Sequence, residues 1–370
     1  MSFDAWPRLE PRGEPSPAMV WLTPVIAVAA TVVSGMILFT LLGFDPVATL
    51  QAYFITPVST RYGLAELALK ATPLTLCAIG LATGFRANIW NIGAEGQLTI
   101  GAICGGGVAL AAWGHEGPWL LPVMMVAGVL GGMGWAAIPA WLRVRFNASE
   151  ILTSLMLVYV ASLLLDYLMH GPWRDPEGFN FPQSRQFGPD ALLPIIVSET
   201  RLHLGSPLAL VAVFSGWLLL ARSFVGFQIR VIGLTPLAAG YAGFNQRRLV
   251  WITLMIGGGL SGLAGVIEVA GPIGQLTPSI SPGYGFTAII VAFLGRLHPV
   301  GILAAALLVA LSYIGGEAAQ ISLRLPLAVT GVFQGMLLFF LLASDVLIRY
   351  RVRLGASSHR RPAPAAQGIR

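Results

Sequence analysis

Long stretches without a charged side chain recur along this chain, and they constrain its fold more than any other feature. The first runs from Pro15 to Phe44, longer than the roughly 20 apolar residues that an α-helix needs to cross a bilayer. Overall, 56% of residues are hydrophobic and 10% are charged, against about 25% charged residues in soluble domains. The sequence therefore predicts a polytopic membrane protein. It excludes an ordinary soluble enzyme, a disordered chain and a disulfide-rich secreted domain.

The apolar stretches predict an all-α protein with about ten transmembrane helices. Tyr284–Leu294 is short for a full crossing and follows a segment rich in Gly, Pro and Ser, so we expect it to be broken or partly re-entrant. The four spans of 67–169 and the four of 249–348 have similar spacing and opposite orientations, which predicts an inverted repeat of two four-helix halves. The ten predicted spans are Trp21–Leu42, Leu67–Thr83, Ile89–Trp113, Trp119–Leu142, Ile151–Met169, Pro207–Ala221, Leu249–Ala270, Tyr284–Leu294, Val300–Gly315 and Leu327–Ile348.

The arginines give this layout an orientation. With a cytoplasmic N-terminus and ten crossings, sixteen arginines fall on inner segments and five on outer segments. Because cytoplasmic loops carry an excess of basic residues, we expect both termini in the cytoplasm. The same bias accounts for the net charge of +6 without a nucleic-acid partner. The predicted divisions are a cytoplasmic segment 1–20, a transmembrane domain 21–348 with an outer loop 171–206 and an inner loop 223–248, and a basic, disordered tail 349–370.

A polar segment precedes and enters the third predicted span. Asn88, Asn91, Glu95 and Gln97 lie there, and such groups are costly in a membrane unless they face protein or water. One interpretation is that they line a polar pathway for a neutral, hydroxyl-rich solute. The other is that they form a satisfied network that holds helices together. The sequence alone does not decide between the two.

The inner loop contains a second informative segment. Thr235 and Pro236 suit the N-cap and first position of a helix over Leu237–Ala242, and Gly243 suits its end. This short helix has small residues and no charge. It is suited either to docking in a groove of another protein or to lying on the membrane surface.

Several chemical signatures are missing from the sequence. There is no GxxxxGK[ST] phosphate-binding loop, no HExxH motif and no Cys/His cluster with metal-ligand spacing. The sequence therefore predicts no catalytic residues, no metal site and no bound cofactor in this chain.

Four segments together resemble a known family. They are Asn91-Ile-Gly-Ala-Glu-Gly-Gln97, Glu150-Ile-Leu-Thr-Ser-Leu-Met156, the Gly233–Gly243 loop, and Gly283-Tyr-Gly-Phe with Phe293-Leu-Gly-Arg296. The chain resembles permease subunits of bacterial ABC importers, in the branch related to ribose and branched-chain amino-acid permeases. It looks most like the nucleoside and simple-sugar members. The resemblance extends from about Trp21 to Arg353.

The resemblance implies a function and a set of partners. The chain would form the pathway for a nucleoside or simple sugar by alternating access, in the bacterial plasma (inner) membrane. It would pair with a cytoplasmic ABC ATPase that binds ATP and Mg, a second permease subunit or copy of itself, and an extracytoplasmic solute-binding protein. A stand-alone ion-coupled secondary transporter is the alternative. By the resemblance, the inner loop would be the ATPase-coupling helix, with contacts at Gly233, Thr235, Pro236, Ala238, Ala239, Tyr241, Ala242 and Gly243.

Overall fold

The structure is a computed structural model that describes residues 8–11, 17–115, 117–326 and 328–353. Helices dominate this part of the chain, in agreement with the predicted all-α class, and two four-residue strands accompany them. The strands are β1 (Arg8–Pro11) and β2 (Tyr350–Arg353). The helices are α1 (Pro17–Leu41), α2 (Pro46–Leu50), α3 (Arg61–Arg86), α4 (Ala94–Ala111), α5 (Leu120–Phe146), α6 (Glu150–His170), α7 (Gly205–Arg222), α8 (Phe224–Leu234), α9 (Pro236–Tyr241), α10 (Gln246–Glu268), α11 (Tyr284–Leu294), α12 (Pro299–Leu323) and α13 (Ala328–Arg349).

Eight of the ten predicted spans coincide with helices that are long and apolar enough to cross a membrane: α1, α3, α5, α6, α7, α10, α12 and α13. The other two predicted spans correspond to α4 and α11. The α4 helix has Glu95 and Gln97 in its first turn, and α11 has only 11 residues. The count of ten crossings therefore stays a prediction.

The chain forms two compact units, residues 1–37 with 335–370 and residues 38–334. In the first unit, β1 pairs antiparallel with β2, with Arg8 opposite Arg353. The Arg351 guanidinium donates to the Glu10 carboxylate at 3.1 Å. Residues 350–353, which are predicted from the sequence to belong to a disordered tail, have backbone groups that pair with those of β1. Residues 354–370 lie outside the described part of the chain.

In the second unit, α4, α5 and α10 pack at glycine contacts. A Cβ at Gly101 would overlap the backbone of Gly262, and a Cβ at Gly132 would overlap the carbonyl of Gly258. These residues belong to GxxxG spacings in the sequence, a pattern that favours close helix packing. The absence of side chains at these positions lets the three backbones approach one another and form the centre of this unit.

The segment before α7 is fixed to the end of α10 by hydrogen bonds. The Phe187 and Leu193 amides donate to the carbonyls of Gly274 and Ala270, at 2.9 and 2.8 Å. Buried His203 packs against Gly271, and its Nδ1 accepts from the Gly205 amide at 3.1 Å. Burial lowers the pKa of His203 to about 4, so the segment is held by a neutral imidazole at pH 7.

Candidate functional site

The α9 helix forms where the sequence predicts a short helix in the inner loop. Thr235 occupies the N-cap position and Pro236 begins the helix. The Thr235 hydroxyl does not cap it, and instead donates to the Val231 carbonyl at 3.3 Å. Gly243 has a φ of +77°, and the Phe244 amide donates to the Ala239 carbonyl at 3.0 Å. Since a left-handed residue followed by such a bond is a common helix end, Gly243 stops α9 as predicted.

Two of the predicted coupling residues face their own chain. Ala239 is 1% exposed and belongs to a buried apolar cluster with Ala140, Leu220 and Leu254. Gly233 packs against the backbone of Arg86, where a Cβ would overlap the carbonyl oxygen. The Ala239 side chain, which the resemblance places at a partner contact, is instead covered by the rest of its own chain.

The remaining predicted coupling residues are exposed and form the outer face of α9: Thr235, Pro236, Ala238, Tyr241, Ala242 and Gly243. Two large apolar side chains dominate this face, Leu237 at 82% exposed and Tyr241 at 95%. Leu234, at the end of α8, adds a third exposed apolar group. We call Leu234, Leu237 and Tyr241 the α9 apolar patch. An exposed group of this kind is a candidate interaction surface.

Two predicted pathway residues, Asn91 and Gln97, form a closed amide pair. The Asn91 Nδ2 donates to Gln97 Oε1 at 3.0 Å, and Gln97 Nε2 donates back to Asn91 Oδ1 at 3.1 Å. The same Asn91 oxygen accepts from the Gly93 amide at 3.0 Å. Both side chains are buried. Their hydrogen bonds are made within the chain, which is what the second interpretation, a satisfied network that holds helices together, requires.

Glu95 joins the starts of α4 and α11. Its Oε2 accepts from the Gly285 amide at 2.6 Å, and a Cβ at Gly285 would overlap the Glu95 backbone. The carboxylate therefore lies at the N-terminus of α11, where a helix favours negative charge. Segments 91–97 and 281–287 lie at the starts of the second spans of the two predicted repeat halves, and they are thus in direct contact.

Asn88 lies apart from these buried groups. It is exposed, has a φ of +57°, and accepts from Trp90 Nε1 at 3.0 Å. The neighbouring rings of Phe85 and Phe293 stack with centroids 5.3 Å apart, and Trp90 stacks on Phe293 at 5.9 Å. Because Phe85 is buried against other rings, it does not offer a free aromatic face to a solute.

A polar cavity of about 450 Å³ lies beside the start of α11. Tyr284, the first residue of α11, contributes a buried hydroxyl that has no hydrogen-bond partner among the described residues. The Tyr313 hydroxyl is 2.8 Å from the Thr287 hydroxyl. The cavity is lined by Lys70, Glu268, Ile273, Ser279, Ile280, Pro282, Tyr284, Tyr313, Glu317, Gly331 and Gln334. We call this space the polar cavity.

The charged groups of the polar cavity come from three helices. Lys70, the chain's single lysine, has its Nζ 3.4 Å from Glu317 Oε1. Glu268 is 6% exposed and comes from the end of α10. Ammonium, carboxylate and phenol groups thus surround one space with both donors and acceptors. Chemically, this arrangement suits hydrogen bonding to a polar solute.

None of the residues lining the polar cavity is among the sequence-predicted site residues. The available signal was the presence of ionisable groups in predicted spans: Lys70 lies in the second span and Glu268 in the seventh. Intramembrane ionisable residues are candidate functional groups by default. Their convergence across helices is not visible in the sequence.

The described residues contain no group of three or more His, Cys, Asp or Glu side chains placed to hold a metal ion. A bidentate ion pair lies in the N-terminal part of α3. In it, Arg201 Nε and Nη2 donate to the Glu66 carboxylate at 2.9 and 2.6 Å. This pair connects the segment before α7 to α3.

Comparison with known proteins identifies the family. Residues 63–342 match the family model described as the permease component of branched-chain amino acid transport systems. The chain belongs to this permease family. The sequence-based resemblance to ABC permeases is therefore confirmed, and nothing found favours the stand-alone secondary transporter.

Curated relatives of this permease are similar over most of their length. The glucose ABC transporter permease protein TsgB13 of Haloferax volcanii is 33% identical, over 97% of this chain and 96% of that protein. The guanosine ABC transporter permease protein NupP of Bacillus subtilis is 29% identical, over 89% and 94%. The nucleoside ABC transporter permease protein NupB of Lactococcus lactis is 25% identical, over 88% and 92%.

Proposed function

We propose that this permease forms the membrane pathway of an ABC importer for a nucleoside or simple sugar, with the polar cavity as part of that pathway. The polar cavity carries the proposal. Its hydroxyl, carboxylate, amide and ammonium groups match the many donors and acceptors of such solutes. The names of three relatives specify glucose, guanosine and nucleosides, which share this chemistry.

The proposed assembly has four further components. A cytoplasmic ABC ATPase binds ATP and Mg and performs hydrolysis, so no catalytic residue is assigned to this chain. A second permease subunit, either a homologue or another copy, completes the pathway. An extracytoplasmic binding protein delivers the solute. The surrounding bilayer is the bacterial inner membrane, with both termini in the cytoplasm, as the arginine distribution favours.

The α9 apolar patch is the proposed contact with the ATPase. Leu237 and Tyr241 are almost fully exposed, so a partner groove can cover them and remove their apolar surface from water. On the opposite side of the same helix, Ala239 packs in a cluster with residues of α5, α7 and α10. Movement of α9 by the ATPase is thereby transmitted to helices of the bundle, since a close-packed interior transmits displacement.

Glu95 and the Asn91–Gln97 pair have a supporting role in this proposal. They fix the starts of α4 and α11 through buried hydrogen bonds. Tyr284 follows directly on the α11 start and lines the polar cavity. The polar segment predicted from the sequence therefore positions the pathway wall rather than contacting solute itself.

The test is uptake of radiolabelled nucleosides and sugars by cells that express the complete transporter. Tyr284→Phe removes the unpartnered cavity hydroxyl and keeps the ring, so we expect uptake to fall at least tenfold with normal amounts of assembled transporter. Tyr159→Phe makes the same change at an exposed position of α6 and should leave uptake unchanged. Equal uptake by both variants and the wild type would rule out the polar cavity as the pathway. If neither nucleosides nor sugars are taken up, the substrate class is wrong.

A further inference from the structure

A basic cleft lies between the C-terminal end of α5 and the N-terminal end of α10, away from the polar cavity. Its volume is about 480 Å³, and its lining includes Arg143, Arg145, Asn147, Gln246 and Arg247. We call it the α5–α10 cleft. Three of its side chains carry positive charge and none carries negative charge.

The three arginines differ in their pairing. Arg143 forms an ion pair with Glu150, whose carboxylate also accepts from the Trp90 amide at 3.1 Å, so this guanidinium is already neutralised and fixed. Arg145 and Arg247 are exposed. Within the described ranges, no carboxylate pairs with either of them. Two guanidinium groups therefore remain available for an anionic ligand.

The backbone at the cleft adds to this charge. The α10 helix presents its N-terminal end here, with Asn245 as the N-cap accepting from the Arg248 amide at 3.1 Å. A helix N-terminus favours an anion. At the opposing end of α5, the amides of Asn147 and Ala148 donate to the last-turn carbonyls. Because those carbonyls already accept hydrogen bonds within the chain, they repel an anion less.

The surface next to the cleft indicates which class of anionic ligand it suits. Val126, Leu130, Ile138 and Trp141 are exposed on α5 and recur at helical spacing along one face, which continues to Arg145. An acyl chain lying on this face would reach Arg145 at its polar end. Trp141 also packs edge-to-face with exposed Phe146 at 5.3 Å, and tryptophan is enriched at membrane interfaces.

We propose that the α5–α10 cleft binds the phosphate headgroup of an anionic phospholipid, with Arg145 and Arg247 as its ligands and Trp141 and Phe146 against its acyl chain. Basic pockets between transmembrane helices on the cytoplasmic side bind such headgroups. The apolar face that leads to the cleft favours a lipid over a soluble phosphate. It also favours a lipid over an acidic surface of a partner protein, which would need no acyl-chain track.

The experiment measures lipid retention by the full-length purified protein with native mass spectrometry. We expect phosphatidylglycerol to be retained at least tenfold more strongly than phosphatidylcholine with the same acyl chains. The double variant Arg145→Gln/Arg247→Gln should lose this preference. The matched variant Arg230→Gln/Arg248→Gln removes the same charge from exposed arginines outside the cleft lining and should keep it.

Four outcomes would overturn the proposal. The first is equal retention of both lipids by the wild type. The second is equal loss of preference in both double variants, which would indicate general charge attraction. The third is displacement of phosphatidylglycerol by millimolar inorganic phosphate, which would make free phosphate the ligand. The fourth is loss of ATPase co-purification in the cleft variant with unchanged lipid preference, which would assign the arginines to protein docking. If the double variant does not fold, Arg247→Gln alone must reduce the preference while Arg247→Lys preserves it.

Discussion

Ala239 and Leu237 lie two residues apart in α9 and have opposite environments. The Ala239 side chain is 1% exposed within the permease, whereas Leu237 is 82% exposed. Ala239→Arg would force a charge into an apolar cluster, and burying an unpaired charge costs several kcal/mol. We therefore expect this variant to lower the thermal unfolding temperature of the purified chain markedly. An unfolding temperature equal to that of the wild type would show that α9 is not packed as described.

Leu237→Arg is the matched control because the same side chain is introduced at an exposed position. Exposed substitutions usually change stability by less than about 0.5 kcal/mol, so the unfolding temperature should stay near that of the wild type. ATPase co-purification should nevertheless fall, since the α9 apolar patch is the proposed contact. Normal co-purification with this variant would argue against the patch as the coupling surface.

His203 makes the stability of the folded chain depend on pH. Burial lowers its pKa from about 6.5 to about 4, so the folded state resists protonation more than the unfolded state. The stabilisation is fully present above pH 6.5. It is lost as the pH falls from 6.5 to about 4 and amounts to about 3 kcal/mol.

The measurement is the unfolding temperature of the purified protein between pH 7.5 and pH 4. Wild type should lose stability over this interval, and His203→Gln should show a shallower pH dependence because the titrating group is gone. His115→Gln, at an exposed loop position, should retain the wild-type dependence. Identical profiles for wild type and His203→Gln would contradict the assignment.

At the scale of helices, the contact between α4 and α11 depends on the Glu95 carboxylate. Glu95→Gln keeps an oxygen that can accept from the Gly285 amide, so we expect a folded protein. Glu95→Ala leaves that buried amide without a partner, which costs about 1–3 kcal/mol. The unfolding temperature should therefore fall more for Glu95→Ala than for Glu95→Gln. Equal values for the two variants would show that the 2.6 Å hydrogen bond contributes nothing to stability.

The long apolar helices and α9 could be predicted from the sequence, because each depends on a local apolar stretch or on a local signal such as Pro236 and Gly243. The short helices α2 and α8 were not predicted. The eighth predicted span, Tyr284–Leu294, is expected to be short and forms a helix of 11 residues. Contacts between distant segments could not be predicted. Glu95 and Gly285 are 190 positions apart, and the polar segment gave no indication of which helix it would meet.

The polar cavity and the orientation of α9 could not be predicted either, because both depend on how distant segments pack. Lys70, Glu268 and Glu317 belong to three separate helices, and only their packing brings them to one space. Ala239 and Leu237 are both apolar residues in a short helix without a polar face. Their composition therefore gave no sign of which one would face the bundle.

For the whole molecule, the arginine distribution predicts the side of the membrane on which each loop lies. A reporter enzyme that is active only in the cytoplasm should be active when fused after Arg353. A reporter that is active only outside the cytoplasm should be active when inserted at Pro182. The positive-inside bias is the physical basis for both expectations. A cytoplasmic signal from the Pro182 insertion would contradict the ten-span layout.

The pairing of β1 with β2 restricts how many times the chain between them crosses the membrane. Two adjacent strands lie on one side of a membrane, so the chain between them must cross it an even number of times. Among the residues that the structure describes, eight helices are long and apolar enough to cross, and eight is already even. If all eight cross and α8 does not, parity requires that α4 and α11 either both cross or both do not, so the topology of one helix fixes that of the other.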